Sequence, residues 1–452
     1  MEIPIPPLSE VFNFKPLRLL VLNFFQTVKD SITQYKIYIR FIIRYPKAET
    51  NYNMRNKTCI LLLAIVSCLV SGNAIAQNTK SSTTKKYDVA AFLYPAYAND
   101  DPRLRPFWPA GNGEWETVTT MQQRFPGHYW NRKPVWGPVN EADPTIMDME
   151  INAATKHGVN VFIFDWYWYD GRPFMETTLD HGFLKADNVN KMKFYLMWAN
   201  HDVLNLWDTR LNKYNENNVI WTGRVSRDEF EKICKRNIEK YFKLPQYYKI
   251  DGKPVFMIYD VPQLIAGLGG IEQTVAALKW FKEETKRAGF PGLELQLTMW
   301  SQNTNYSGFD GSKAKNPENA FVKKLGFTSA THYQFVHFMN PNDDYMNIME
   351  KVKKEWARID TAYQLTYYPH VSIGWDNSPR TGQSPVMKNN TPANFAKALQ
   401  MAKDYVDAHP KQAPLITINS WNEWTETSYL EPDNVNGYGY LEAVKKVFGG
   451  DK

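Results

Sequence analysis

Eight runs of β-type residues recur along this chain, and amphipathic stretches with helical periodicity separate them. The runs cover residues 88–97, 160–169, 193–202, 253–260, 293–300, 329–335, 365–376 and 414–424. The helix-like stretches include residues 144–158, 226–242, 271–289 and 391–410. Several runs are almost continuously apolar, as expected for a parallel sheet that is covered on both faces. This alternation predicts an α/β fold, a (β/α)8 TIM barrel forming a single catalytic domain over residues 87–449. A doubly wound open sheet is the alternative, but no glycine-rich phosphate loop follows the first run.

A secretory signal lies inside the chain and begins at Met54. Arg55 and Lys57 provide a basic start, residues 59–70 are apolar, and residues 74–76 (Ala-Ile-Ala) suit a signal peptidase. We therefore expect residues 54–76 to be a signal peptide and residues 77–86 to be a polar linker. Residues 1–53 are then an unstructured upstream start-site extension. A cytoplasmic extension ahead of a membrane anchor is the alternative.

The expected location is periplasmic or secreted, with no stable membrane span after processing. Residues 65–68 also resemble a lipobox ending at Cys68, but the apolar run continues past that residue, which favours cleavage after Ala76. The mature chain then holds only Cys234, so no intramolecular disulfide is expected. Residues 1–76 contain nine Lys or Arg and four Asp or Glu, so they carry most of the formal charge of +6. The near-neutral body argues against nucleic acid as a partner.

Aromatic and polar residues gather where nearly every β-type run ends. In a barrel these ends share one rim, where active sites form. Aromatic faces stack on sugar rings, whereas Asn, His and Asp provide directional hydrogen bonds to hydroxyl groups. The pattern predicts a carbohydrate substrate, an oligo- or polysaccharide. The candidate substrate-binding residues on this rim are Tyr94, Asp165, Tyr167, Trp198, Asn200, His201, Asp202, Tyr259, Trp300, Tyr333, Trp375, Trp421 and Asn422.

Two glutamates in the segment SWNEWTETSYLEPD are the candidate catalytic pair. Glu423 and Glu426 are three residues apart, which in a helical turn places their Cβ atoms about 5–6 Å from each other. Cleavage of a glycosidic bond usually requires two carboxyl groups, one of them protonated. Burial and mutual repulsion would raise the pKa of one carboxyl and suit it as the acid. The alternative is an ordinary polar loop, in which one glutamate caps a turn and the other is solvated.

Several segments resemble the glycoside hydrolase family 99-like group, also called the WbsX family. They are NSWNEWTETSYLEPDNVNGYGYLEAVKK at residues 419–446, FPGHYWNRKP at 125–134, HGVNVFIFDWYWYDGR at 157–172, FYLMWANHD at 194–202 and GNGEW at 111–115. The resemblance covers residues 87–448 and implies a (β/α)8 fold. In family 99 proper, the related motif acts on α-mannosides in an endo-acting, retaining enzyme.

The resemblance also implies separate roles for the two glutamates. Glu423 would act as base on the substrate's own 2-hydroxyl, which displaces the leaving group and gives a 1,2-anhydro sugar. Glu426 would protonate the leaving oxygen and then activate the water that opens this intermediate. Glu114, together with Trp115 in the GNGEW loop, would join Asp165, Tyr167, Trp198 and Asn200 in the sugar subsites.

The chain departs from the group's pattern at two positions. Thr427 stands where the group often has Gly, and His201 follows Asn200 where the group tends to have Glu. Both glutamates remain in place, so the resemblance supports the chemistry and leaves the sugar unidentified.

The two glutamates and the family resemblance predict an exported glycoside hydrolase. A glycosyltransferase or polysaccharide-assembly protein is one alternative function, although sugar-nucleotide donors are cytoplasmic and the signal peptide indicates export. A non-catalytic carbohydrate-binding protein is another, although both glutamates are retained. His128, His201 and Asp202 lack the spacing of known metal motifs, so neither a metal nor a cofactor is expected.

Overall fold

The computed structural model describes residues 86–98, 101–128, 132–204, 219–300, 314–382 and 384–449. All of them belong to one compact unit of the chain, Thr84–Lys452. The expected upstream extension, the signal peptide and most of the linker lie outside the described residues. Within the described ranges, no helix is long and apolar enough to cross a membrane.

The central sheet consists of parallel strands in the order β7–β6–β5–β4–β3–β2–β1–β9–β8. The strands are β1 Asp88–Leu93, β2 Val161–Tyr169, β3 Lys193–Trp198, β4 Lys253–Ile258, β5 Glu294–Met299, β6 Ser329–His332, β7 Thr366–Tyr367, β8 His370–Ser372 and β9 Leu415–Asn419.

One chain segment closes this sheet into a barrel. Only Tyr368 and Pro369 separate β7 from β8, yet β7 pairs with β6 and β8 pairs with β9. The Tyr368 amide donates to the Ala330 carbonyl at 2.9 Å, and the Thr417 amide donates to the Pro369 carbonyl at 3.0 Å. The two ends of the sheet therefore meet in residues 366–372. This arrangement confirms the predicted (β/α)8 barrel.

Helices cover the outside of the barrel. Many begin at an Asp, Ser, Asn or Thr whose side chain accepts a backbone N–H, and several have Pro in the first turn. The helices are α1 Trp115–Thr119, α2 Pro144–Lys156, α3 Arg227–Asn237, α4 Val261–Leu268, α5 Ile271–Arg287, α6 Pro317–Leu325, α7 Tyr345–Ala362, α8 Ser378–Thr381, α9 Pro392–Ala408 and α10 Gly439–Phe448.

The connection between β2 and β3 differs from a regular barrel crossover. It consists of the short helices Thr178–Gly182, Phe183–Lys185 and Val189–Lys191. Gly182 explains why the chain can pass so closely here, because a Cβ at this position would lie 2.0 Å from the Glu141 carbonyl oxygen. A longer side chain would push the connection away from the loop that follows β1.

Small antiparallel pairs lie beside the barrel. Arg172–Phe174 pairs with β2, and Lys249–Ile250 pairs with β4. Val203–Leu204 pairs with Val219–Trp221 beyond the end of β3. Asn422–Glu423 pairs with Ser428–Tyr429 beyond the end of β9. We call residues 420–429 the catalytic hairpin, after the candidate catalytic pair that the sequence predicts there.

Apart from the run at 160–169, which ends with β2 at Tyr169, the predicted β-type runs extend beyond the C-terminal ends of their strands. The run at residues 88–97 contains a strand that ends at Leu93, and the run at 193–202 contains one that ends at Trp198. The additional residues form loops on the rim of the barrel. Their aromatic and polar character therefore reflects the cavity above the strands rather than the sheet itself.

Candidate active site

A cavity of ≈ 430 Å³ opens at the C-terminal ends of the strands. Ten of the predicted site residues line it together, from six different strand ends and the catalytic hairpin. These are Tyr94, Asp165, Tyr167, His201, Asp202, Tyr259, Trp300, Tyr333, Glu423 and Glu426. Met197, Ala199, Leu204, Gln263 and Arg380 complete the described lining.

The catalytic hairpin fixes both glutamates at the cavity wall. Glu423 lies in the first hairpin strand, and its amide donates to Ser420 Oγ at 2.8 Å. Glu426 ends a single helical turn, Trp424–Glu426, that joins the two strands. The indole of Trp424 stacks on the ring of Tyr429, with centroids 3.8 Å apart and planes 16° apart. The hairpin is thus a packed unit, so the orientation of both carboxyl groups is set by the fold.

The guanidinium of Arg380 binds the carboxyl groups of both glutamates, and no sequence motif marks this residue. Its Nη2 lies 3.1 Å from Glu423 Oε2, and its Nη1 lies 2.8 Å from Glu426 Oε1. Two further bonds reach Glu114, from Nε to Oε1 at 2.7 Å and from Nη2 to Oε2 at 3.0 Å. The Arg380 side chain is only 11% exposed and lies over the ring of Tyr94. One guanidinium therefore orients three carboxylates in a nearly dry site, where such charge-assisted bonds are strong.

Tyr333 connects Asp165 to Glu423 from the opposite side. The Tyr333 hydroxyl oxygen lies 2.8 Å from Asp165 Oδ2 and 2.7 Å from Glu423 Oε1. A phenol has one proton to donate, so one of these carboxyls must itself donate a proton to the phenol oxygen. Burial, followed by the nearby charge of Glu423, raises the pKa of Asp165 well above its usual range. Asp165 is thus the group suited to hold this proton, which leaves Glu423 as the acceptor.

The environment separates the two glutamates chemically. Burial, reinforced by repulsion from Glu423, raises the pKa of Glu426 to about 8. Burial also raises the pKa of Glu423, but the Arg380 guanidinium and the Tyr333 hydroxyl oppose this rise. Among the described residues, Glu426 Oε2 and Asp165 Oδ1 are buried oxygens without a hydrogen-bond partner. Glu426 is therefore protonated at neutral pH, with one oxygen free for a ligand.

An aromatic wall faces the glutamates. The Trp300 indole stacks on His337, with centroids 4.1 Å apart, and donates its N–H to the Tyr259 carbonyl at 2.9 Å. Tyr259 and Tyr333 meet edge to face at 5.4 Å. Burial lowers the pKa of His337 to about 3, so its imidazole is neutral. The wall is therefore an uncharged aromatic surface of the kind on which a sugar ring can stack.

Asp202 and His201 lie at the edge of the cavity. The Asp202 carboxylate accepts from the Gly223 amide at 2.8 Å, from Thr222 Oγ1 at 3.0 Å and from Gln263 Nε2 at 2.7 Å. Asp202 therefore anchors the loop beyond β3. Burial lowers the pKa of His201, which keeps that ring neutral beside the substrate space.

Seven predicted substrate-binding residues do not line the cavity, contrary to their prediction, and four of them are Trp198, Asn200, Trp421 and Asn422. Trp198 is fully buried and packs against Phe230 of α3. The Asn200 amide donates to the Asp260 carbonyl at 2.7 Å and accepts the Asp260 amide at 2.8 Å, which ties β3 to β4.

The other two, Trp421 and Asn422, are fully buried. The Asn422 side chain accepts from the Tyr94 amide and donates to its carbonyl, both at 2.8 Å, and Trp421 donates its indole N–H to Glu150. Alternate residues of a strand point to opposite faces, so a rim position does not by itself place a side chain in the cavity.

Glu114, Trp115 and Trp375 also have positions other than those predicted. Glu114 is fully buried behind Arg380, so it acts on the site through that residue. Trp115 packs on Tyr97 at 4.4 Å and donates its indole N–H to the Val139 carbonyl. Trp375 lines a separate cavity of ≈ 550 Å³ on the far side of Thr427.

His128 does not lie in the first cavity either. It lines the second cavity, with its Nε2 2.6 Å from Asp376 Oδ2.

Thr427 has φ +56°, in the left-handed region that glycine adopts without strain. This backbone conformation explains why Gly suits that position after the second glutamate.

Comparisons with known proteins agree with this architecture. Two curated proteins of Xanthomonas campestris pv. campestris, both described as uncharacterized protein WxcX, are 24% and 26% identical over 381 and 364 residues. The alignments cover 83% and 79% of this chain but 52% and 49% of those proteins. The chain thus spans about half the length of the curated relatives it matches.

Two solved structures share the fold. The GH99 endo-α-mannosidase of Bacteroides thetaiotaomicron has a TM-score of 0.52 at 13% identity, covering 79% of this chain and 95% of that one. A protein described as glycoside hydrolase-like has a TM-score of 0.52 at 16% identity, covering 80% and 94%. The family model described as Glycosyltransferase WbsX matches residues 89–444. The match spans the entire barrel and both glutamates of the catalytic hairpin, and the chain therefore belongs to the WbsX family.

Proposed function

We propose that this protein is a glycoside hydrolase. The observation that carries the proposal is that Glu423 and Glu426 face one cavity and have different hydrogen-bond partners. Glu426 has a pKa of about 8 and a free oxygen, whereas Glu423 accepts hydrogen bonds from Tyr333 and Arg380. One protonated and one ionised carboxyl are the two groups that glycosidic cleavage needs.

The proposed reaction retains the configuration at the anomeric carbon. Glu423 accepts the proton of the substrate's 2-hydroxyl, and that oxygen attacks C1 while the C1–leaving-group bond breaks. Glu426 donates its proton to the departing oxygen, and the products are a 1,2-anhydro sugar and the free alcohol. Glu426 then takes a proton from water as the water oxygen attacks C1, and Glu423 returns its proton to the 2-oxygen. Both carboxyls end as they began, as a catalytic cycle requires.

The charge around the cavity favours a neutral glycan. Of the carboxyls in the described lining, Asp202 and Glu423 carry negative charge, Asp165 and Glu426 are suited to hold protons, and Arg380 is the one Lys or Arg among the lining residues. A cavity with excess negative charge repels uronic acids and other anionic sugars. The B. thetaiotaomicron protein that shares this fold is an endo-α-mannosidase, so α-mannosides are the first substrates to test.

Glycosyl transfer from a sugar nucleotide is the second function to weigh, given the description of the family model. A diphosphate leaving group needs cationic groups or helix N-termini to neutralise its charge. Arg380 is already bonded to Glu114, Glu423 and Glu426. The cavity therefore supports hydrolysis of a neutral glycan better than binding of a nucleotide diphosphate.

A screen of oligo- and polysaccharides tests the proposal. Wild-type protein is compared with Glu423→Gln, Glu426→Gln and the double variant, with Glu350→Gln on the exposed face of α7 as a matched control. We expect the control to retain activity and the double variant to lose at least about 1000-fold, as for loss of essential acid–base groups. Full activity of the double variant would refute the assignment. NMR of the first-formed anomer tests retention, and initial release of the inverted anomer would contradict the proposed route.

A further inference from the structure

A second group of carboxyls lies directly behind the catalytic hairpin, outside the substrate cavity. It consists of Glu141 in the loop before α2, Glu150 within α2, and Glu431 just after the hairpin. One oxygen from each lies within 4.8 Å of the other two. Glu141 and Glu150 are 0% exposed, and Glu431 is 3% exposed. We call these residues the buried glutamate triad.

Each member of the triad uses one oxygen to hold the catalytic hairpin. Asn422 Nδ2 donates to Glu141 Oε1 at 2.7 Å, and Trp421 Nε1 donates to Glu150 Oε2 at 3.0 Å. Trp424 Nε1 donates to Glu431 Oε2. The three donors flank Glu423 on both sides, so the triad is the support on which the proposed catalytic base rests.

The second oxygen of each triad carboxyl has no protein partner. Glu141 Oε2, Glu150 Oε1 and Glu431 Oε1 are all buried, and none has a hydrogen bond among the described residues. Buried polar atoms are normally satisfied, and an orphaned carboxylate oxygen is especially costly. Three buried oxygens without a hydrogen bond, on carboxyls that approach within 4.8 Å of one another, therefore require a shared partner such as a cation or a proton.

The triad also lacks a basic partner. Among the described residues, no Lys, Arg or His forms an ion pair with Glu141, Glu150 or Glu431, whereas Arg380 compensates the glutamates of the substrate cavity. A buried carboxylate without a countercharge is strongly destabilising unless it is neutralised by a proton or a cation. The glutamates of the substrate cavity therefore have a guanidinium as their countercharge, whereas the buried glutamate triad has no Lys, Arg or His as a countercharge among the described residues.

We propose that Glu141, Glu150 and Glu431 bind a hard divalent cation, Ca²⁺ or Mg²⁺, behind the catalytic hairpin. An all-oxygen carboxylate site suits these ions rather than softer metals. Two oxygens bound to one Ca²⁺ at about 2.3–2.6 Å can be separated by at most about 5 Å, which the spacing in the triad satisfies. The cation would stabilise the hairpin through Trp421, Asn422 and Trp424. This role is structural and does not depend on which reaction the protein catalyses.

Metal content and thermal stability test the proposal with the protein as expressed. The protein is dialysed against EDTA and then metal-free buffer, and CaCl₂, MgCl₂ or MnCl₂ is added separately. We expect one Ca²⁺ or Mg²⁺ per chain by elemental analysis after removal of free ion, and a Tm that rises with the ion's concentration. Glu150→Gln and Glu141→Gln, which preserve side-chain shape, should bind the ion at least about 10-fold more weakly and lose the Tm response. Glu350→Gln should behave like wild type.

Two results would overturn the proposal. The first is wild-type protein that takes up none of the three ions and shows no change in Tm, because protons would then neutralise the triad. The second is equal uptake by wild type and by both triad variants, because the ion would then bind elsewhere. The wild-type measurement is decisive even if a variant does not fold. Elemental analysis and Tm also require no substrate, so they can fail or succeed independently of the hydrolase proposal.

Discussion

Arg380→Met is the substitution that most directly tests the electrostatics of the proposed active site. Met fills similar space but has no charge, so Glu114, Glu423 and Glu426 lose the guanidinium that now contacts all three. The Glu114 carboxylate is fully buried and the Arg380 side chain is 11% exposed, so water cannot replace the lost partner efficiently. Arg380 is a positioning residue in this argument, because it acts through the carboxylates that it orients.

The expected loss of stability follows from the burial of this network. Removing one partner of a buried ion pair costs about 3–5 kcal/mol, and we expect a loss in that range at neutral pH. The carboxyls left behind have higher pKa values and can take up protons as the pH falls. The stability difference between wild type and Arg380→Met should therefore be larger at about pH 8 than at about pH 5.

The expected loss of activity follows from the pKa of Glu423. A hydrogen bond to a charged group is worth about 1.5–3 kcal/mol, which corresponds to a pKa rise of about 1–2 units for Glu423. On the acidic limb, below the pKa of Glu423, the ionised fraction of Glu423 at a given pH, and with it kcat/KM, should fall about 10- to 100-fold. The acidic limb of the pH–rate profile should move upward by the same 1–2 units.

Urea unfolding at both pH values and a pH–rate profile on the best substrate provide the assay. Arg227→Met is the matched control, because Arg227 pairs with Glu231 one turn along α3 and both side chains are partly exposed, at 38% and 28%. It should cost about 1 kcal/mol or less and leave the profile unchanged. Adding Glu114→Gln to Arg380→Met should restore part of the stability. An equal loss at both pH values, with no shift in the profile, would refute the reasoning.

Three other predictions concern the cavity and its hairpin. First, kcat/KM should fall as the pH rises through about 8, because Glu426 then loses the proton that the leaving oxygen needs. The residual activity of Glu426→Gln should lack this basic limb. A wild-type pH–rate profile that stays flat to about pH 9.5 would contradict the assignment. Second, Tyr333→Phe should fold but lower kcat/KM about 10-fold or more, because the hydroxyl between Asp165 and Glu423 is lost. Steady-state kinetics measures the loss, and circular dichroism is the folding control. Unchanged kinetics would count against the proposed role of the hydroxyl. Third, Thr427→Gly should raise the free energy of unfolding by about 1 kcal/mol, because φ is +56° at this residue and Gly adopts that conformation without strain. Urea unfolding measures the change. A lower urea midpoint than wild type would show that the Thr side chain stabilises the fold by more than its backbone strain costs.

The sequence predicted the barrel and most of the cavity because both depend on regular patterns. Apolar runs in alternation with amphipathic helices specify a parallel barrel, and the ends of its strands then share one rim. This reasoning brought Asp165, Tyr333, Glu423 and Glu426 to one place, where the structure also has them. It did not require knowledge of any individual contact.

The sequence located residues less well where a single side chain, rather than a pattern, decides the position. Trp198 and Trp421 end their runs like cavity residues, but they point into the packing between the sheet and the helices. Arg380 lies in the short helix α8, which carries no motif, more than forty positions before Glu423 and Glu426. An excess of buried carboxyls implies a cation nearby, but only the fold shows which Arg or Lys supplies it.

The way the barrel closes has a consequence for the order of events during synthesis. β1 pairs with β9 from Asp88↔Leu415 onward. The first and last strands of the barrel are therefore neighbours, although more than three hundred residues separate them in the sequence. While the chain is still emerging from a ribosome, β1 therefore has one unpaired edge until the final segment arrives. That same segment carries Glu423 and Glu426. The proposed hydrolase activity would thus require the closed ring, and a chain terminated before Glu423 would lack it.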